Sequence, residues 1–247
     1  MVYEKFVPDL QGESYLTVLK HVHTLFRPET YLEIGTSTGE SLARASCASI
    51  AIDPAFQIGL DIFSNKTICH MMQMGSDDFF KNHNPQTILG KPLDFVFLDG
   101  MHWCEFLLRD FMNVEKYCKR NSIIAIHDCI PISSHVARRV QGDMTLAAQA
   151  EQPDWWAGDV WKAVNLLQKI RPDLQIHAFD CQPTGLIFIT NLNPESNVIQ
   201  EKYFDFVEYM YSGMNENDEL RSFIQNLNIK SAEIFSSYSE VSRYFWL

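Results

Sequence analysis

A chain of 247 residues suits one large α/β domain, and at this size about 70–75% of the unfolded surface can be buried without disulfides or a structural metal. Its net charge of −11 has the wrong sign for a broad nucleic-acid surface, whose affinity comes from Lys and Arg on phosphates. No run approaches 18 apolar residues, and MVYEKFVPDLQGES has neither a basic nor an apolar signal segment, so a soluble cytoplasmic protein with no membrane partner is expected.

Residues 14–26 carry Leu16, Leu19, Val22 and Leu25 at helical spacing and stop before Arg27-Pro28, as helices do ahead of proline. Short apolar runs then predict strands at 31–34, 49–52, 67–72, 94–98 and 123–126. Helices are expected between them at 39–47, near 58–63, at 77–82 and at 103–118. Runs apolar on both faces, such as FVFL and IIAI, belong to a buried parallel sheet with helices on both sides. A helix at 159–170 is followed by LQIHAFD and GLIFIT, separated only by residues 181–184. That gap is too short for a crossover helix, so the two runs form an antiparallel pair. The expected fold is an α/β, Rossmann-like doubly wound sheet of five parallel strands with a terminal antiparallel hairpin, occupying residues 1–192 with the N-terminal helix. Residues 193–247, with helical patterns at 198–211 and 219–227, form a helical C-terminal cap. The ending EVSRYFWL packs on the body or on a second copy of the chain. The six cysteines (47, 69, 104, 118, 129 and 181) form no C-x-x-C pair and no zinc-finger spacing, which predicts reduced structural thiols.

The stretch YLEIGTSTGES reads in two ways. As G-x-S-x-G, residues 35–39 spell the nucleophile elbow of a serine hydrolase, with Ser37 as the attacking oxygen. As an acid followed by a glycine-bracketed turn, it is the first strand and loop of a nucleotide-binding sheet. Ligands of such a sheet bind at the carboxyl ends of its strands, near the point where strand order reverses. Those ends carry Glu33-Ile-Gly35, Asp53, Gly75-Ser76-Asp77, Asp99-Gly100 and His127-Asp128. Each polar residue alone is equally a cap or turn residue; five ends together point to a ligand site. Asp53 can accept both ribose hydroxyls of a nucleoside. Glu33 repels a pyrophosphate at the same loop and suits a cationic amine or sulfonium, which favours S-adenosylmethionine over NAD.

In order, YLEIGTSTGES, AIDP, MGSDDFF, LDFVFLDGMHWCEFLLRDF, NSIIAIHDCIP and GDVWKAV resemble the S-adenosylmethionine-dependent methyltransferases with a seven-stranded Rossmann-like sheet. The nearest subgroup carries D-G-x-H after strand four, H-D-x-x-P after strand five and G-D-V-W-K before a late helix. The resemblance covers residues 28–190 and implies that the unit 1–192 is catalytic. It implies that Glu33, Gly35, Thr36, Ser37 and Gly39 surround the methionine part of the cofactor and that Asp53 holds the ribose. Ser76 and Asp77 would border the adenine, and Asp99 would face the transfer site. Met101 and Cys104 stand where the subgroup often has an acid and a tyrosine.

Related oxygen methyltransferases bind magnesium at the strand ends that here carry Asp99 and His127-Asp128. Mg2+ on Asp99, Asp128 and His127 is therefore one expectation, although magnesium prefers oxygen donors. A metal-free acidic cluster is the other. His102, three residues after Asp99, is the candidate general base, or else a cap for the helix that follows. Trp155, Trp156 and Trp161 wall an acceptor pocket or pack in the core. The activity implied is methylation of an oxygen on a small molecule, a sugar or secondary metabolite. Two alternatives stay open: hydrolysis by Ser37 with Asp99 or Asp128 and His135 or His177, and a nucleoside-binding module without catalysis.

Overall fold

The structure, a computed structural model describing residues 2–7, 10–212 and 216–246, contains one eight-stranded sheet among the described residues. Strands β1 (Thr30–Ile34), β2 (Ala48–Ile52), β3 (Cys69–Met72), β4 (Leu93–Leu98) and β5 (Cys118–His127) pair in parallel in the order β3-β2-β1-β4-β5. The expected hairpin is present: β6 (Gln175–Phe179) and β7 (Leu186–Thr190) are antiparallel, with β7 against β5. The strand order reverses between β1 and β4, so the loops leaving these two neighbours diverge and open a crevice above their carboxyl ends.

Side chains alternate across the strands and build two cores. Leu32 and Ile34 of β1 join Val96, Leu98, Ile124 and Ile126 on one face. That face is covered by α4 (Cys104–Glu115), α5 (Trp161–Ile170), α6 (Val198–Tyr211) and α7 (Glu216–Asn226). Tyr31, Phe95, Phe97, Ala125 and Phe188 face the other way, under α1 (Tyr15–Phe26). Ser14 caps α1 by accepting from the Thr17 amide, and Arg27 ends it in a left-handed conformation ahead of Pro28. The ending EVSRYFWL packs on the body: Val241 of α8 (Tyr238–Val241) and Phe245 are buried in the α1-side core. Burying side chains of that size contributes roughly 1.5–3 kcal/mol each. Leu247 lies outside the described residues.

Several local expectations need correction. The helix expected at 39–47 is one 3-10 turn, Leu42–Arg44, because the chain is already extended at Ala45 on its way into β2. No helix forms near 58–63; Asp61 accepts from the amides of Phe63 and Ser64 and holds a turn instead. Ile58 and Ile62 meet their apolar demand by packing over Gly39. The helix expected at 103–118 stops at Glu115, whose carboxylate is gripped by both terminal nitrogens of Arg171 at 2.8 Å. The third strand begins at Cys69, two residues late, and α2 spans Ser76–Asn82. A short helix, α3 (Pro85–Leu89), and a two-residue strand, β8 (Ile229–Lys230), were not expected; β8 runs parallel to β6 and closes the sheet edge. No helix of the described residues is long and apolar enough to cross a membrane.

Candidate functional site

A cavity of about 840 Å3 opens where the strand order reverses, and Gly35, Thr36, Ser37, Asp53, Ser76, Asp77, Asp99 and His102 all line it. Only a glycine lets the loop after β1 pass the loop after β4. Gly35 has φ +89°, and a Cβ there would sit 1.9 Å from the Asp99 carbonyl oxygen. Asp53, at the tip of β2, fixes this loop from the other side. Its Oδ2 accepts from the Ser37 amide at 2.8 Å and its Oδ1 from the Ala55 amide at 2.7 Å. Each carboxylate oxygen keeps a further lone pair, so a ligand hydroxyl can still bind.

Two residues expected around the methionine part stand behind the wall. Gly39 faces Ile58 and Ile62. Glu33 shares its face of β1 with Tyr31, two residues back, and is fully buried there. Its Oε2 accepts from the Tyr31 hydroxyl at 2.7 Å, and the Thr36 and Ser41 hydroxyls also face the carboxylate. Burial raises the Glu33 carboxyl to about 7, against opposing hydrogen bonds from Tyr31, Thr36 and Ser41.

A second buried acid, Asp110, also lines the cavity and was missed by sequence reasoning. Burial raises it to about 7, against a hydrogen bond from Ser76, and its Oδ1 has no partner among the described residues. The signal was present: Asp110 stands beside Leu107, Phe111 and Val114 on the apolar stripe of α4, where an acid has no packing reason to be. Tyr15, at the start of α1, is another wall residue that sequence reasoning missed.

Asp99 and His102 line the cavity and Asp128, like His127, does not, yet donor atoms of Asp99, His102 and Asp128 all lie within 4.8 Å of one another. His102 Nε2 is 3.6 Å from Asp99 Oδ1, and His102 Nδ1 is 3.2 Å from Asp128 Oδ2. Despite the second contact, Nδ1 has no hydrogen-bond partner among the described residues. Asp128 has a left-handed backbone, φ 61°, and its Oδ1 accepts from the Thr184 hydroxyl. His127 lies outside the cavity wall. Its Nδ1 is 3.3 Å from Asp99 Oδ1, its ring stacks on Tyr15 at 4.0 Å, and its buried Nε2 has no partner among the described residues. The group closest to a cation site thus contains His102 in the place expected for His127.

Burial opposes charge on all these groups, yet the cluster overrides it. His127 rises to about 9 because the charges of Asp128 and Asp99 outweigh desolvation. His102 is raised despite burial by the nearby carboxylates of Asp99 and Asp128. Asp99 is held below the usual carboxylate range, despite burial, by His127 and His102.

The G-D of GDVWK positions His102. Gly158 has φ +69°, and a Cβ there would fall 1.9 Å from the His102 carbonyl oxygen. Asp159 donates its amide to that carbonyl at 3.2 Å, and its Oδ1 accepts from the Cys104 amide at 2.9 Å. Asp159, rather than His102, therefore satisfies the start of α4. Trp156 stacks on His102 with ring centres 4.7 Å apart, whereas Trp161 is fully buried against Phe223 and Trp155 packs against the core. Ser37 has the positive φ, 45°, of a strained turn, but neither proposed histidine lines its cavity. His135 is bound to the Pro153 carbonyl, and His177 packs against Tyr244 and Phe245.

Residues 32–129 match the family model described as "Methyltransferase domain". Among curated proteins no match is found. Solved structures with a similar fold include the O-methyltransferase TomG from Streptomyces achromogenes, involved in tomaymycin synthesis, in complex with SAM (16% identity, 76% of this chain and 84% of that one, TM-score 0.47). An O-methyltransferase from Bacillus cereus in complex with SAH is similar at 14% identity over 74% of this chain and 83% of that one, with TM-score 0.44. The SAH-bound Podospora anserina methyltransferase PaMTH1 is similar at 10% identity over 71% and 76%, with TM-score 0.47. Likeness at that level says nothing of substrate or chemistry.

Proposed function

We propose that the protein transfers the methyl group of S-adenosylmethionine to an oxygen of a small-molecule acceptor, a sugar or secondary metabolite. One observation carries the reading: a single cavity joins a ribose-ready Asp53 at one strand tip to Asp99 and His102 at another. A sulfonium already carries an activated methyl, so this chain has to align the acceptor and accept its proton. Asp53 and the Gly35 loop would hold the nucleoside, with Ser76 and Asp77 at its base. Glu33 would act from behind the wall, its charge favouring a cationic ligand over a pyrophosphate. His102 would take the acceptor proton, with Asp99 and Asp128 stabilising the imidazolium that forms.

A divalent ion is the second version, and the cluster fits one in part. Two carboxylates suit magnesium, while an imidazole as third donor suits a softer ion. Asp99, Asp128 and His102 would hold the ion, which would lower the pKa of a bound hydroxyl. The same imidazole cannot serve as both ligand and base. Chelator therefore abolishes transfer in this version and leaves it intact in the first.

Calorimetry with S-adenosylmethionine, its demethylated product and NAD tests the cofactor; binding of NAD alone overturns the reading. Asp53→Ala should weaken cofactor binding by roughly 10–100-fold, the worth of charge-assisted bonds. Unchanged affinity would place the ribose elsewhere. Against the hydrolase alternative, a fluorophosphonate probe should leave Ser37 unlabelled. Labelling that disappears in Ser37→Ala would restore that alternative.

A further inference from the structure

Between β5 and α5 the chain passes through a long irregular segment whose first part, to Arg138, is buried. A second cavity within it, about 190 Å3, is walled by His135, Arg138, Asp143, Thr145 and Leu146. Arg138 is 6% exposed, and its guanidinium is held by main-chain oxygens alone. Nη1 donates to the carbonyls of His135 at 2.8 Å and Trp155 at 2.5 Å, and Nε to that of Gln141 at 3.1 Å. Among the described residues no carboxylate pairs with it, and Nη2 has no protein partner, leaving two N–H donors free. Asp143 stands on the rim within reach of the Arg138 charge but outside ion-pair distance, and its Oδ1 accepts from the amide and hydroxyl of Thr145, at 3.0 and 2.6 Å.

His135, 1% exposed, is the second unsatisfied group. Its Nε2 donates to the Pro153 carbonyl at 2.8 Å, which leaves Nδ1 buried without a partner among the described residues. Among those residues Asp143 is the one carboxylate whose charge reaches Arg138, and it leaves the Nη2 donors unfilled; a buried ring nitrogen without a hydrogen bond is costly as well. One kind of ligand answers both. We infer that this cavity is an oxyanion site, in which a carboxylate or phosphate group lies on Arg138 Nη2 and meets His135 Nδ1 through a shared proton.

The place of the site gives it a use. Trp156 stacks on His102 with one face, and its indole N–H donates to the Arg138 carbonyl at 2.7 Å. A single indole therefore links the oxyanion site to the transfer cluster, and an acceptor with an acidic arm could span both. Only that assignment to an acceptor rests on the proposed methyl transfer; the anion site itself does not.

Inorganic phosphate and acetate are the probes, titrated by calorimetry into the full chain. One saturable site for at least one of them is expected, with a shift of the Arg138 Nε–H resonance on saturation. Arg138→Gln should weaken binding roughly tenfold or more. Because Arg138 also ties three carbonyls together, Leu146→Trp provides a second variant that fills the cavity and keeps those bonds. It should weaken phosphate or acetate equally while leaving S-adenosylmethionine affinity unchanged. No saturable binding of either probe, or undiminished binding in Leu146→Trp, overturns the inference. Loss of methyl transfer activity alone does not touch it. Phosphate that competes with the acceptor in a transfer assay assigns the anion to the acceptor. Phosphate that binds without competing assigns the site to a free anion.

Discussion

His102→Ala should lower methyl transfer by roughly 10²–10⁴, the usual contribution of a positioned general base, while S-adenosylmethionine binds as before. The imidazole lies 3.6 Å from Asp99 and 3.2 Å from Asp128, and its backbone is clamped by Gly158 and Asp159. Because the two carboxylates raise its pKa, His102 carries a proton at pH values where an ordinary histidine has lost it. The rate should therefore climb as pH rises through that raised value, and Asp128→Asn should move the climb to lower pH. Rapid-quench transfer measured from pH 6 to 9 shows both. A His102→Ala enzyme with unchanged rate, or one that fails only by losing the cofactor, sinks the assignment.

The second large effect concerns stability. Glu33 and Asp110 are buried acids whose carboxyls are raised to about 7. In the unfolded chain both titrate near 4. Between those values the folded state keeps protons that the unfolded state has lost, so stability falls as pH rises from about 4 through 7 and is flat above. A shift of this size corresponds to about 4 kcal/mol for each group over the full range. Glu33→Gln and Asp110→Asn remove the titrating proton and should each gain about 2.5 kcal/mol of this relative to the native chain between pH 5 and pH 8. Urea melts at the two pH values measure it. If the difference between variant and native chain is the same at both, these carboxyls are not held neutral by the fold. A cationic ligand should draw the Glu33 proton off, so cofactor binding at pH 7 should release a proton into the buffer.

The strand tips were legible because a parallel sheet writes them plainly. Each apolar run ends on the residue that must leave the core, and Asp53, Asp99 and Asp128 are those residues. The terminal hairpin was legible from the length of one gap. The residues that were not legible depend on packing over distance. Glu33 was read as a wall residue because the strand's alternation does not say which face the cavity will adjoin. Asp110 hid in a helix whose periodicity remains convincing with one acid in the stripe. The short turn at Leu42–Arg44 and the bend held by Asp61 show how a few residues at helical spacing can satisfy burial without a helix. His102 was separable from His127 only once the backbone at Asp128 turned left-handed and set its carboxylate towards the loop after β4.

The two residues of β8 have a bearing on how the chain is made. β6 lies between β7 and β8, pairing with Ile229 and Lys230 through Ala178 and Phe179. During synthesis β6 and β7 emerge together, but the partner for the outer edge follows about fifty residues later, several seconds at ribosomal rates of ~5–20 residues per second. Through that interval the edge of β6 offers unpaired amides and carbonyls to any neighbouring nascent chain. Polysome density and early release are thus the conditions under which this protein should aggregate, and a chain released before Ile229 should be the species that seeds it.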